Sequence, residues 1–319
     1  MSYTGPGFEP PQPRRSRRGP LTVALAALVP GALLGWAVYA AVGGSGGDEG
    51  SGSTAASVST SPSASASASA SSGTPSPAPS AGSEDEKPSV PAAASGPLKG
   101  KVVVIDPGHN PENFEHTAEI SRQVDIGTNR KECDTTGTST NDGYAEADFT
   151  LDVAHRMRTL LEKQGATVKL TQDGDRPFGP CVDERARIGN KAKADAVVSL
   201  HADGSGTGNR GFHVILPGAV DAGAADTRAI VEPSGDLGTR IAGNFVRVTG
   251  SAPSNYVGGG TGLVTRKDLG GLNLSTVPKV FIECGNMRDS KDAALLTSGA
   301  WRQKAAQGIS DGIVSFLRG

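Results

Sequence analysis

Cysteine is scarce in this chain. Three in 319 residues cannot build a disulfide-dense scaffold or an all-cysteine zinc site, which needs four. No haem or iron–sulfur ligand set stands out either. Aromatic residues make up only 4%, while Gly 44 and Pro 21 fill about a fifth of the chain, against a globular norm near ~12%. Part of the sequence is therefore too poor in large apolar groups to fold. Charge of either sign is not in excess: the net charge is -2 and the pI about 6.2, so nucleic acid is not an expected partner. The HExxH zinc-peptidase motif is absent.

Long apolar runs are also missing, with one exception. Residues 21–42 carry no charge, and a helix of 22 residues rises about 33 Å, enough to cross a hydrocarbon core. Arg14, Arg15, Arg17 and Arg18 precede the run, Asp48 and Glu49 follow it, and Trp36 and Tyr39 lie near its far end. This Lys/Arg bias predicts a cytoplasmic tail over 1–20, a membrane anchor over 21–43 and an extracellular remainder. The alternatives are a signal segment cleaved after Val38-Tyr39-Ala40, which would make the protein secreted, or an apolar core helix. Residues 44–97 are mostly Ser, Ala, Gly, Thr and Pro without apolar periodicity. They predict a disordered linker, with a mean end-to-end distance of roughly 40 Å.

The stretch 98–319 reads as one α/β domain. Apolar runs at 102–106 (VVVID), 167–170, 196–201 (AVVSLH), 211–216 (GFHVIL) and 280–283 (VFIE) predict strands. Helical spacing marks 146–163, through Phe149, Val153, Met157 and Leu160, with Gly165 as the stop. Further helices are predicted over 182–193, 237–248 and 301–317. The alternation implies a mixed, largely parallel sheet flanked by helices on both faces.

In such sheets, sites gather at the carboxyl ends of strands. Asp106-Pro107-Gly108-His109, Ser199-Leu200-His201-Ala202-Asp203 and Glu283-Cys284-Gly285-Asn286 each end a predicted strand, and Glu146 opens the first long helix. Two histidines and a glutamate form a catalytic zinc set that leaves a fourth position for water, and a second, unligated glutamate can move the proton. Taken singly, each has a plainer explanation: a hydrogen-bonded His at a strand end, or a Glu favoured by a helix dipole. Glu283 is harder to explain that way, because charges are rarely buried unpaired. His116, His155 and His213 fit the plainer explanation.

Taken in order, VVIDPGH (103–109), Glu146 with its helix, ADAVVSLHA (194–202), Gly211-Phe212 and PKVFIECGN (278–286) resemble the zinc-dependent N-acetylmuramoyl-L-alanine amidase family, most closely its actinobacterial branch. Arg185 and Asn190 match the family's Arg-x4-Asn segment. The resemblance covers nearly all of 98–319. It implies Zn2+ held by His109, Glu146 and His201, with Glu283 as the catalytic residue. The implied reaction is hydrolysis of the amide between N-acetylmuramic acid and L-alanine in peptidoglycan, by zinc-activated water. Asp106 or Ser199 is expected to orient a ligand histidine. A catalytically inactive peptidoglycan-binding or regulatory protein on the same fold is the alternative. The segment 110–145 is longer and more polar than the family pattern, and makes Glu119 and Glu132 alternative ligands, although neither opens an apolar helix. With an extracellular domain, Cys133 and Cys181 are expected to form a disulfide and Cys284 to be buried and free.

Overall fold

A computed structural model describes residues 96–319. The expected cytoplasmic tail, the 21–43 segment and all but the last two residues of the linker lie outside the described residues. Among the described residues, no helix is long and apolar enough to cross a membrane.

In chain order the elements are β1 (Val102–Pro107), α1 (Thr117–Ile120), β2 (Gln123–Asp125), β3 (Arg130–Glu132), α2 (Glu146–Lys163), β4 (Thr167–Leu170), α3 (Val182–Lys191), β5 (Ala196–Asp203) and β6 (His213–Pro217). There follow β7 (Asp221–Ala222), β8 (Ala225–Asp226), α4 (Val231–Thr249), β9 (Leu263–Arg266), α5 (Gly270–Asn273), β10 (Lys279–Asn286), α6 (Ser290–Leu296) and α7 (Gly299–Arg318). The main sheet has the strand order β4-β1-β5-β10-β6-β9. Pairing is parallel from β4 through β10, antiparallel between β10 and β6, and parallel again between β6 and β9. The sheet is thus mixed and largely parallel, as the alternating pattern predicts.

The strand alternation explains where the core ends and the site begins. Val103, Ile105, Val198, Leu200, Val280 and Ile282 join the main apolar cluster with residues of α2, α4 and α7. Alternate residues of the same strands point the other way. There Val104 and Val197 form a small cluster under α3. Further along that face the side chains turn polar, with Asp106, Ser199, His201, Lys279 and Glu283 lining a common cavity.

The structure corrects several boundaries. α4 begins at Val231, six residues before its predicted start at 237. The Pro-Ser-Gly stretch there reads as loop, yet Pro233 falls in the first turn, where a missing N–H costs no helical bond. Strand β9 went unpredicted; LVTR is short, and only its pairing with β6 makes it a strand. On α2, Leu161 rather than Leu160 is fully buried. The insertion 110–145 carries α1 and the antiparallel β2–β3 hairpin.

A Cys133–Cys181 disulfide ties that insertion to the start of α3, with the Cα atoms 4.2 Å apart and a sequence separation of 48. The Val182 N–H donates to the Cys133 carbonyl at 2.7 Å beside it. A closed loop of this length contributes about 4 kcal/mol in the chain-entropy account. Cys284 is buried and free, as expected.

Candidate metal centre and active site

Strand register brings the site together. Across three strands, His201, Glu283 and His213 form one row, because Glu283 pairs with His201 on β5 and with His213 on β6. His109 arrives from the turn after β1, and Glu146 from the first turn of α2. His109, Glu146 and His201 each offer a ligand atom, and these atoms lie within 4.8 Å of one another. Glu146 Oε1 is 3.2 Å from His109 Nε2 and 2.8 Å from His201 Nδ1. The same oxygen accepts from the Ala202 N–H at 3.2 Å, and Oε2 accepts from the Thr138 N–H at 2.9 Å.

The surroundings are built closely around this trio. A Cβ on Gly108 would lie 2.2 Å from the His201 ring, and one on Gly137 would lie 2.8 Å from His109 and 2.9 Å from Glu146. His201 stacks on Phe281 with ring centroids 3.9 Å apart and planes 7° from parallel, which fixes the imidazole plane. Two imidazoles and a carboxylate held this way suit a zinc ion, with room left for a fourth ligand.

His109 has φ 62, the left-handed region that non-glycine residues rarely occupy. Its carbonyl is held by Arg185 Nη2 at 2.9 Å and Gln172 Nε2 at 3.1 Å. Arg185 also donates to the Pro107 carbonyl, to Asp106 at 2.9 Å and to Asp134 Oδ2 at 2.9 Å. Asp134 Oδ1 lies 3.6 Å from His109 Nδ1, and the Thr135 carbonyl lies 3.0 Å from the same nitrogen. The groups that orient His109 are therefore Thr135 and Asp134. Asp106 and Ser199, expected in that role, bond to each other at 2.9 Å. Asp106 further accepts from Thr171 at 2.7 Å and from Lys279 at 3.0 Å. It anchors Arg185 and Lys279 rather than an imidazole. The match Arg185–Asn190 is likewise architectural, since Asn190 brackets the turn before β10 through Leu274 and Thr276.

Electrostatics follow from this packing. Burial opposes the charge on Asp106, but Lys279 and Arg185 outweigh it and hold the carboxyl well below the usual range. Burial likewise disfavours a charged Glu146, and the two histidines overcome it and keep it ionised. His109 is disfavoured as a cation by burial, yet Glu146 and Asp134 push its pKa up to about 10. In His201 burial prevails over Glu146, and the pKa falls. Glu283 behaves in the opposite way to Glu146: burial, reinforced by the charges of Glu146 and Asp203, pushes its carboxyl well above the ordinary value. Two carboxylates on one cavity thus have proton affinities pushed in opposite directions.

The alternative ligands do not join the group. Glu119 is exposed and lies 3.5 Å from His116. Glu132 sits on β3 and only lines the cavity wall. The cavity measures about 600 Å³, and the β2–β3 hairpin residues Gln123, Arg130 and Lys131 form one side of it. Residue-level reading missed Asp134, Thr135, Phe281 and Lys279. An Asp at a strand-free position or a Lys at a strand start gives no local signal of what it pairs with.

The fold and site define a class: an α/β domain in which two histidines and a glutamate that could hold a metal ion converge, with a buried glutamate beside them at the strand ends. The N-acetylmuramoyl-L-alanine amidase family profile matches residues 103–315. A Mycobacterium tuberculosis protein, N-acetylmuramoyl-L-alanine amidase Rv3717, is 40% identical over 233 residues, 72% of this chain and 92% of the relative. The crystal structure of the amidase Ami1 from Mycobacterium smegmatis superposes with TM-score 0.63 at 39% identity, covering 70% of this chain and 99% of that one. Ami1 from Mycobacterium abscessus gives the same score and identity, over 69% and 100%. The chain belongs to the N-acetylmuramoyl-L-alanine amidase family.

Proposed function

We propose that this chain is a zinc-dependent peptidoglycan amidase that cuts the bond between the lactyl group of N-acetylmuramic acid and L-alanine, freeing stem peptides from glycan. The observation that carries the reading is the convergence of His109, Glu146 and His201 on one point, with Glu283 next to His201 in the sheet. Family membership and the names of the relatives support the substrate class. His109, Glu146 and His201 would hold the zinc. The chemistry a bound zinc supplies is Lewis acidity, which polarises a carbonyl and lowers the pKa of water towards about 7. Glu283 takes a proton from the attacking water and delivers it to the leaving nitrogen as the carbon–nitrogen bond breaks. Its raised proton affinity suits both halves of that transfer. Phe281 and Thr135 keep the imidazoles in place.

Mass analysis of digested muropeptides tests this. The expected products are glycan with an intact lactyl carboxylate and stem peptides with a free L-alanine amine. Products cut within the stem peptide, or muropeptides bound but left whole, would refute it.

We propose further that residues 21–43 anchor the chain and that the catalytic domain faces the cell wall from outside, on the 44–97 linker. The apolar run and the preceding arginines support this topology. Protease added to intact cells is expected to remove 98–319 from a membrane-bound chain. A mature form starting near residue 41 in the medium would show cleavage instead, and a protease-protected domain would overturn the extracellular placement.

A further inference from the structure

One buried titratable side chain beside the base has no part in the chemistry above. His213 flanks Glu283 on the side away from His201, directly across the antiparallel β10–β6 ladder. Residues so paired share a sheet face with Cβ atoms about 5 Å apart. His213 is 4% exposed. Its Nδ1 and Glu283 Oε2 are both buried and without a hydrogen-bond partner. Two neighbouring polar atoms left unpaired each cost stability, and pairing them removes both costs. The Tyr256 ring packs edge-on against His213 with centroids 5.9 Å apart, and its hydroxyl donates to Asp203 Oδ2 at 2.6 Å. That bond pins Tyr256 as a cover over the imidazole.

We propose that His213 is a positioning residue for the hydrolysis: its Nδ1–H donates to Glu283 Oε2 and holds the carboxyl with Oε1 turned towards the cavity. No hydrogen bond joins the two atoms in the structure, and forming one requires rotation about the broad terminal torsion of Glu283. The proton taken from water resides on Oε1, and Oε2 stays an acceptor whether Glu283 is ionised or not, so the bond persists through the cycle. Burial lowers the pKa of His213, which keeps the ring neutral with a single proton to place. The assignment rests on the hydrolytic reading of Glu283.

The test uses the full, zinc-loaded chain. His213→Phe preserves bulk and removes the donor. It is expected to lower kcat by about 10- to 100-fold, the range seen when a residue orienting a functional group is lost, with KM within about twofold and zinc content unchanged. His213→Asn, which places an amide near the Nδ1 position, is expected to recover most of the loss. Adding His213→Phe to Glu283→Gln is expected to cost little more, because the two act as one unit. Wild-type kcat in His213→Phe, or losses that multiply in the double variant, would overturn the proposal. Nitrogen-15 spectra of the wild type provide an arm independent of turnover. A proton on Nδ1 supports the hydrogen bond, and a bare Nδ1 overturns it. A wild type that releases no stem peptide would refute the hydrolytic reading instead, while the spectrum would still decide the bond.

Discussion

Glu283→Gln is expected to give a folded, zinc-loaded protein whose stem-peptide release falls by about 10²- to 10⁴-fold, the usual contribution of a positioned acid–base group. Glutamine keeps the shape and volume of the side chain but cannot accept the proton. Glu283 holds none of the ion pairs among the described residues, and glutamine keeps a side-chain oxygen that can still accept from His213. The substitution therefore breaks no contact that supports the sheet. Burial pushes the proton affinity of Glu283 up, so a neutral amide at this buried position costs the folded state no more than the carboxylate does. The melting temperature of Glu283→Gln is expected to equal or exceed that of the wild type. If Glu283 served only to stabilise β10, the substitution would instead lower the melting temperature, and activity would fall only in step with unfolding.

His201→Ala and His109→Ala are expected to lose zinc and activity together, with turnover down by at least about 10⁴-fold, because water is then no longer activated. Either change leaves two donors where a catalytic zinc site uses three. Retained zinc in either variant would show that the ion sits elsewhere. The two histidines differ in what else they hold. His201 is part of β5 and stacks on Phe281, so its loss also leaves an apolar gap. His109 sits on a strained turn kept by Arg185 and Gln172. His109→Ala relieves no strain, since alanine meets the same left-handed penalty. Metal analysis of purified protein, alongside thermal unfolding, separates loss of zinc from loss of fold.

The strand ends were legible in the sequence because a buried parallel strand is a short apolar run, and a histidine or glutamate at its end is conspicuous. The order of motifs then identified His109, Glu146, His201 and Glu283, and the structure brings all four to one cavity. The Cys133–Cys181 pairing also followed from their loop positions and the expected exterior location. Other features depend on register between distant strands and leave no local trace. Lys279 finds Asp106 only because β10 joins β5, which joins β1. His213 looks like an ordinary strand residue until β6 places it opposite Glu283. Asp134 and Thr135 reach His109 from a polar insertion without periodicity, held by the disulfide. β9 and the first turn of α4 were hidden by brevity and by Pro233 and Gly235, which read as loop.

In the proposed mechanism His109, Glu146 and His201 hold zinc, and Glu283 moves the proton as the substrate amide is hydrolysed. Zinc content and stem-peptide release, measured on the same samples of wild type, His201→Ala and Glu283→Gln, test it most directly. Both properties are expected in the wild type, neither in His201→Ala, and zinc without turnover in Glu283→Gln. A zinc-loaded Glu283→Gln protein that releases stem peptides at the wild-type rate would contradict the mechanism.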